Sequence, residues 1–340
     1  MKSVLMHLVL ALVGLGLAYR AWTKKDEDAE AGSDESVTLV DCTPARLQEI
    51  VLLDGAKRVA LSQKKDGGTP YFWVRTQVES TAPADEKNRV TEFALSKEVN
   101  EFLKAALPFR ATRSLGQLTA EQLKDTKLAE PEDHLTIACG GKKHEFDLGS
   151  EAFGSGDYYV RPKGQTTVYL VASKAVSDLM RADSALMLRE LIPVEMSDIE
   201  TVTVRAEGRE KKLKQLNRLD KRKAEWVDAA EPDRRNELYS NWLARVRQLR
   251  VEQYLPEGSE PGTELASPAP YIPVAKLDYR DSDGKELGAF EFGVVQSETP
   301  IYYARSTATH AWVRVLASVG KQVAQDVAPV LGLESASQAD

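Results

Sequence analysis

Two stretches far apart in the chain carry the same landmarks. YYVR at 158–161 is followed by VAS at 171–173, and YYAR at 302–305 is followed by LAS at 316–318. A fixed offset between such landmarks constrains architecture before any local propensity does. Tyr158 to Tyr302 and Arg161 to Arg305 are both 144 positions, and so are Phe146 to Phe290 and Gly149 to Gly293. Gly141 to Gly284 is 143, and Ser173 to Ser318 is 145. Nearer the N-terminus, Gly55 to Gly208 and Trp73 to Trp226 are both 153. The order is kept, with one contraction of about ten residues between Trp226 and Gly284.

Each landmark also has a local meaning. IVLLDGAKRVAL (50–61) and TVTVRAEGREKKLKQL (201–216) place β-prone runs around Asp54-Gly55 and Glu207-Gly208, a hairpin pattern. LTIACGGKKHEFDLG turns at Gly140-Gly141, and KLDYRDSDGKELGAFEFG at Asp283-Gly284. A helix is expected after Ser96 as N-cap, with Val99, Phe102, Leu103 and Ala106 on one face. Its counterpart is expected after Pro232-Asp233, with Leu238, Trp242, Val246 and Leu249 inward. Closing helices should bury Val176, Leu179 and Met180 in one half, and Leu316, Val319, Val323 and Val327 in the other. The expectation is an α+β fold: two tandem related repeats of antiparallel hairpins with packing helices, after one N-terminal transmembrane helix.

That helix is read from VLMHLVLALVGLGLAY (4–19), which contains no charge and one strongly polar residue, His7. Extended through Arg20, Ala21 and Trp22, it approaches the roughly 20 residues that a bilayer core requires. Tyr19 and Trp22 sit where interfacial aromatics anchor a span. A cleaved signal peptide is the rival reading. Its only Ala-x-Ala, Ala29-Glu30-Ala31, lies beyond a cluster of charges, so an uncleaved anchor is expected. KKDEDAEAGSDES (24–36) has no apolar residue larger than Ala and reads as a solvated tether. The expected division is an anchor at 1–22, an acidic disordered tether at 23–36, repeat domains at 37–192 and 193–332, and a flexible tail at 333–340. Lys2 before the span, and Arg20, Lys24 and Lys25 after it, give a nearly balanced count that leans toward a cytoplasmic body.

The net charge of −7, without a long basic tail, argues against nucleic acid as the main partner. RAEGREKKLKQLNRLDKRK (205–223) does hold nine basic residues against three acidic ones. A lipid or nucleic-acid patch is one reading of it. A charged hairpin face with Leu213 and Leu216 turned inward is the favoured one. Cys42 and Cys139 permit one disulfide in an oxidising compartment, but a buried strand residue is the favoured reading of Cys139, inside LTIAC.

Catalytic signatures are absent from the sequence. The four histidines, His7, His134, His144 and His310, form no His-x-x-x-His pair, and there is no Cys-x-x-Cys. His134 and His144 flank one hairpin, but two ligands do not make a metal site. Gly-x-Ser-x-Gly and Walker A patterns are missing, and Gly154-Ser155-Gly156-Asp157 precedes a strand, so a hairpin turn is expected there. No enzyme activity, catalytic residue, cofactor or metal is expected. The nearest thing to a functional surface is the tyrosine strands. Alternation puts Tyr159 with Arg161 on one face and Tyr158 with Val160 on the other. Tyr159, Arg161, Tyr303 and Arg305 are therefore the expected exposed contributors to an interaction surface, with cross-strand packing as the structural alternative.

The N-terminal run, LAEPEDHLTIACGGKKHEFDLG, and GSGDYYVRPKGQTTVYLVASKAVSDLM leading into LRELIPVEMSDIETVTV resemble the bacterial family called domain of unknown function forty-three forty. The resemblance covers residues 40–255 well and the second half mainly through the internal repeat. The second half departs from it in the Pro-rich PEGSEPGTELASPAPYIP. The resemblance implies a membrane-anchored envelope protein without catalytic residues, often encoded beside ABC-type export permeases of the gliding-motility class. It thus implies a body outside the cytoplasmic membrane, against the charge count. Two functions follow as expectations. One is a non-catalytic interaction module, accessory to an ABC-type transport system, that meets the membrane through its N-terminal helix. The other is a periplasmic binding module for a small ligand or cell-wall fragment.

Overall fold

The computed structural model describes residues 36–79, 89–96, 99–220 and 222–333. The expected anchor and nearly all of the expected tether lie outside these residues. Among the described residues, no helix is long and apolar enough to cross a membrane.

The chain forms an α+β fold with two sheets whose strand pairings are all antiparallel. The first sheet is built from β1 (Val37–Val40), β2 (Leu47–Asp54), β3 (Lys57–Asp66), β4 (Thr69–Val78), β5 (Arg89–Ala94), β6 (Phe109–Gln117), β7 (Asp133–Cys139), β8 (Lys142–Glu151), β9 (Tyr158–Pro162) and β10 (Thr167–Val171). Its strand order is β1-β6-β10-β9-β8-β7-β2-β3-β4-β5. Helices α1 (Val99–Ala106), α2 (Ala120–Asp125), α3 (Lys174–Met180) and α4 (Ala182–Ala185) are interleaved with these strands. The second sheet comprises β11 (Thr201–Ala206), β12 (Arg209–Leu216), β13 (Glu225–Asp228), β14 (Val251–Tyr254), β15 (Tyr271–Arg280), β16 (Glu286–Val295), β17 (Ile301–Ser306) and β18 (Val313–Val315). Its order is β13-β12-β11-β15-β16-β17-β18-β14, with helices α5 (Glu237–Val246) and α6 (Ala317–Val330).

Period-two patterning decides which face is buried. Leu61, Ile50 and Ile137 are cross-strand neighbours, as are Val59, Leu52, Leu135 and Phe146, and all are almost wholly buried. The expected hairpin turns sit where left-handed backbone is required: Gly55, Gly140, Gly141 and Gly208 all have positive φ. On α1, Phe102, Leu103 and Ala106 face the core, and Val99 packs at its margin. Ser96 does not cap this helix as expected. Its carbonyl accepts from the Val99 N–H at 3.1 Å, and its hydroxyl is buried without a hydrogen-bond partner among the described residues.

Helix α5 begins later than expected, because the Asn236 side chain accepts from the Leu238 N–H at 3.0 Å and provides the cap. Trp242, fully buried, donates from Nε1 to the Val323 carbonyl at 3.0 Å and joins α5 to α6. Val323 and Val327 are buried there. Leu316 was expected to be buried with them but is 47% exposed, since it precedes the first turn of α6 rather than lying on its inner stripe.

A short segment laces the sheets together. Met187 bridges to Leu95 just beyond β5, and Glu190 bridges to Arg250 just before β14. Leu188 N–H donates to Ala94 and Val251 N–H to Arg189, both at 2.9 Å. Residues 187–190 thus occupy two strand edges that would otherwise invite foreign pairing. Tyr254 completes the junction: its ring meets Trp73 and Phe93, and its hydroxyl donates to the Leu188 carbonyl at 3.0 Å.

Candidate interaction surface

The hairpin of β8 and β9 positions the first pair of expected surface residues. Tyr159 and Arg161 share one face, while Val160 is buried toward the helices. Arg161 is only partly exposed, because it is committed to Asp147. Its Nε and Nη2 donate to one carboxylate oxygen at 3.2 and 2.7 Å. The other oxygen lies 3.3 Å from Nδ1 of His134. Cross-strand register explains the meeting: Arg161 pairs with Asp147, Asp147 with His134, and His134 with Leu53. One strand position along, Glu145 is paired with Lys143 and Lys163, whose hydrogen bonds hold its carboxyl below the usual range. These ladders border a depression of about 300 Å³ floored by Val51, Leu53 and Phe146.

Tyr303 and Arg305 lie on the second sheet, so the structure does not gather the four expected residues into one patch. Arg305 is exposed. Tyr303 is fully buried, which corrects the expectation from strand parity. Parity assigns the face rightly, but the segment between β14 and β15 folds over that face. Leu255, Val295, Trp312 and Tyr303 form a small second core, with Leu265, Ala269 and Tyr271 packed on it. Tyr303 donates its hydroxyl to Glu264, and burial followed by that carboxylate pushes its phenol well above the ordinary range. The Pro-rich stretch is therefore a lid on the sheet.

The first sheet has a smaller cover of its own. Helix α2, closed by a reciprocal Thr119–Gln122 capping box, leads into Leu128, which is fully buried. Gly149 lies beneath this cover; a Cβ there would stand 2.3 Å from the Thr126 carbonyl oxygen. Tyr159 is consequently half-buried rather than open.

Two residues of this hairpin escaped the sequence reading. Asp147 is one, since a buried carboxylate is recognisable only with its partners in place. Phe153 is the other, wholly exposed at the hairpin tip and followed by Gly154 and Gly156, both with positive φ. Its sequence signal was an aromatic among turn residues. The GSGD stretch is a hairpin loop, as expected.

The histidines are dispersed. His144 pairs across the ladder with Ile137, away from the Asp147 position that His134 faces. His310 stacks on Tyr71 with ring centroids 3.8 Å apart and lies 3.1 Å from Asp66. Among the described residues, no group of three or more His, Cys, Asp or Glu side chains is placed to hold a metal ion. In the basic run, Arg205 is paired with Glu210 and Asp278, Lys211 with Asp228, and Lys214 with Glu200. Leu213 is fully buried, and Leu216 is half-buried. Cys42 and Cys139 form a disulfide with Cα atoms 6.0 Å apart.

A family model described as "Domain of unknown function (DUF4340)" matches residues 94–269, just over half of the chain. No curated protein and no solved structure matches it.

Proposed function

The chain belongs to the family of the domain of unknown function 4340, and from that premise we propose that it is a membrane-anchored, non-catalytic interaction module of the bacterial envelope. In this reading it is accessory to an ABC-type transport system, and its contact element is the hairpin of β8 and β9. The observation that carries the reading is Phe153. A wholly exposed aromatic at a hairpin tip gains nothing from the fold and is positioned to fill a partner's pocket. Behind it stand Tyr159 and the Arg161–Asp147–His134 ladder, whose Arg161–Asp147 ion pair and His134 contact fix the side chains in advance of contact.

The body is proposed to lie outside the cytoplasm, and the Cys42–Cys139 disulfide supports that side. Tandem duplication is part of the proposal. The run β6-β10-β9-β8-β7-β2-β3-β4 in one sheet has its parallel in β14-β18-β17-β16-β15-β11-β12-β13 in the other, element by element. Gly149 and Gly293 support it too, each lying where backbone passes closely, from the covering segment at Thr126 in one case and from the neighbouring strand β15 at Ile272 in the other.

The test replaces Phe153 by a photoreactive benzoylphenylalanine in full-length protein and irradiates native membranes. A crosslinked permease subunit is the expected product. If position 153 and position 143 on the adjoining face both yield no protein adduct, the reading fails. A periplasm-dependent phosphatase fused after residue 36 should be active, and an inactive fusion would reverse the orientation.

A further inference from the structure

The second unit contains a cleft that the interaction reading does not use. It measures about 340 Å³ and lies between β12, β13, the outer side of α5 and the incoming segment at 195–197. Its existence follows from side-chain size. Ser240 and Ala244, one turn apart on α5, are too small to fill the space beside Trp226. Ser240 is also engaged, accepting the Trp226 backbone N–H at 2.9 Å, so helix and strand are held at this spacing.

The opposite wall is equally fixed. Gln215 is 6% exposed, and the amide orientation that satisfies its surroundings turns its nitrogen to the Ile199 and Met196 carbonyls, at 2.7 and 2.8 Å. Met196 and the nearly buried Trp226 supply an apolar lining. Two cations reach the same space. Arg218 is oriented by donating to the Ser197 carbonyl at 2.8 Å, with Glu200 at the edge of ion-pair range. Arg247 follows the end of α5 and makes no ion pair with a described residue. Glu195 lines the cleft as well, so two arginines stand against one glutamate. An aromatic and thioether lining with a cationic excess matches one ligand chemistry.

We propose that this cleft binds a small amphiphilic anion: an apolar ring or chain carrying a carboxylate or phosphate. The apolar body lies on Trp226 and Met196, and the anionic group sits between Arg218 and Arg247. A free metabolite and an anionic lipid share that chemistry. The site lies on the second sheet and stands whether or not the β8–β9 hairpin docks a partner.

The test uses the full chain in zwitterionic nanodiscs, titrated calorimetrically with 1-naphthoate, 1-naphthyl phosphate and 1-naphthylmethylamine. Saturable binding of at least one anion is expected, with the amine at least tenfold weaker. Arg247→Gln should weaken the anion at least tenfold while leaving the unfolding midpoint in place. Ala244→Phe, at an exposed helix position, should abolish binding by filling the cleft. Displacement of the bound anion by phosphatidylglycerol vesicles would assign the site to a lipid, and no displacement would assign it to a soluble anion. Equal binding of amine and anions, or affinity unaltered in both variants, would overturn the proposal.

Discussion

Removing the guanidinium of Arg161 would strand a carboxylate. Asp147 is 9% exposed, and its remaining neighbour, His134, approaches only one of its oxygens. An uncompensated buried charge is costly, so Arg161→Ala should lower stability by roughly 3 kcal/mol. Urea denaturation would show it, and a loss within the range of ordinary surface substitutions would mean that Asp147 is adequately hydrated. For the same reason, replacing Tyr159, Arg161, Tyr303 and Arg305 together would unsettle the fold instead of testing a surface. Lys211 and Asp228, 2.9 Å apart, give a pH prediction. Burial, the largest single influence, pushes the Asp228 pKa up, but the Lys211 hydrogen bond, the Ala230 N–H and the Lys211 charge together outweigh it and the net direction is down. Burial likewise opposes the charge on Lys211, and hydrogen bonds to Asp228 and Tyr239 carry it above its ordinary value. The depressed carboxyl contributes stability above its unfolded pKa, lost as pH falls through the folded one. The raised ammonium contributes below its unfolded pKa, lost as pH rises through the folded one. Lys211→Met should therefore flatten the acid limb of the stability profile below the usual carboxylate pKa and the alkaline limb above that of lysine. Unfolding midpoints from pH 2 to 11 would check this, and profiles parallel to wild type would remove the pair as a source of the pH dependence.

At the scale of elements, Gly149 and Gly293 show what a sequence reveals and what it withholds. Both appear as landmarks at a fixed offset, without any apparent reason for being glycine. The structure supplies the reason: a Cβ at Gly293 would lie 2.4 Å from the Ile272 carbonyl oxygen, and one at Gly149 would lie 2.3 Å from that of Thr126. Gly149→Ala and Gly293→Ala should each cost about 1 to 3 kcal/mol, since backbone must move to admit the methyl. Thermal unfolding midpoints near wild type would show that the neighbouring backbone yields easily. Hairpins such as β2–β3 and β7–β8 were legible because their turn chemistry is local. Strands β1, β6 and β14 were not, because they pair with partners distant in sequence, as β6 does with β10. Face assignment from alternation was right for Tyr303, yet exposure was wrong. Alternation states which side a residue takes and is silent about what later covers that side. The β8–β9 hairpin was half legible for the same reason, with Arg161 named and the buried Asp147 that fixes it overlooked.

For the whole molecule the question is whether two sheets make two folding units. Domains that meet through modest polar contacts move and unfold separately by default. Polar contacts are present here, with Lys64 2.6 Å from Glu257 and His310 3.1 Å from Asp66. Exposed pairs of that kind couple little. The apolar contacts decide the matter. Trp73 and Phe93 of the first sheet and Tyr254 of the second are each at most 4% exposed, and they belong to one continuous core that extends through both sheets. The 187–190 segment adds backbone hydrogen bonds to both edges. The Cys42–Cys139 disulfide, closing a 97-residue separation, acts within the first unit alone. Its reduction should lower stability by about 4 to 5 kcal/mol without dividing the transition, since its main effect is on the unfolded chain. The body is therefore expected to unfold in a single calorimetric transition, with van't Hoff and calorimetric enthalpies equal. Tyr254→Ala removes the ring through which the second sheet packs on Trp73 and Phe93 of the first and should cost about 3 to 5 kcal/mol, as for other buried aromatics. It should also split the transition in two if this ring is the main coupling. Two transitions in the wild-type chain would show that the shared core is too thin to bind the sheets into one unit, however well its side chains are buried.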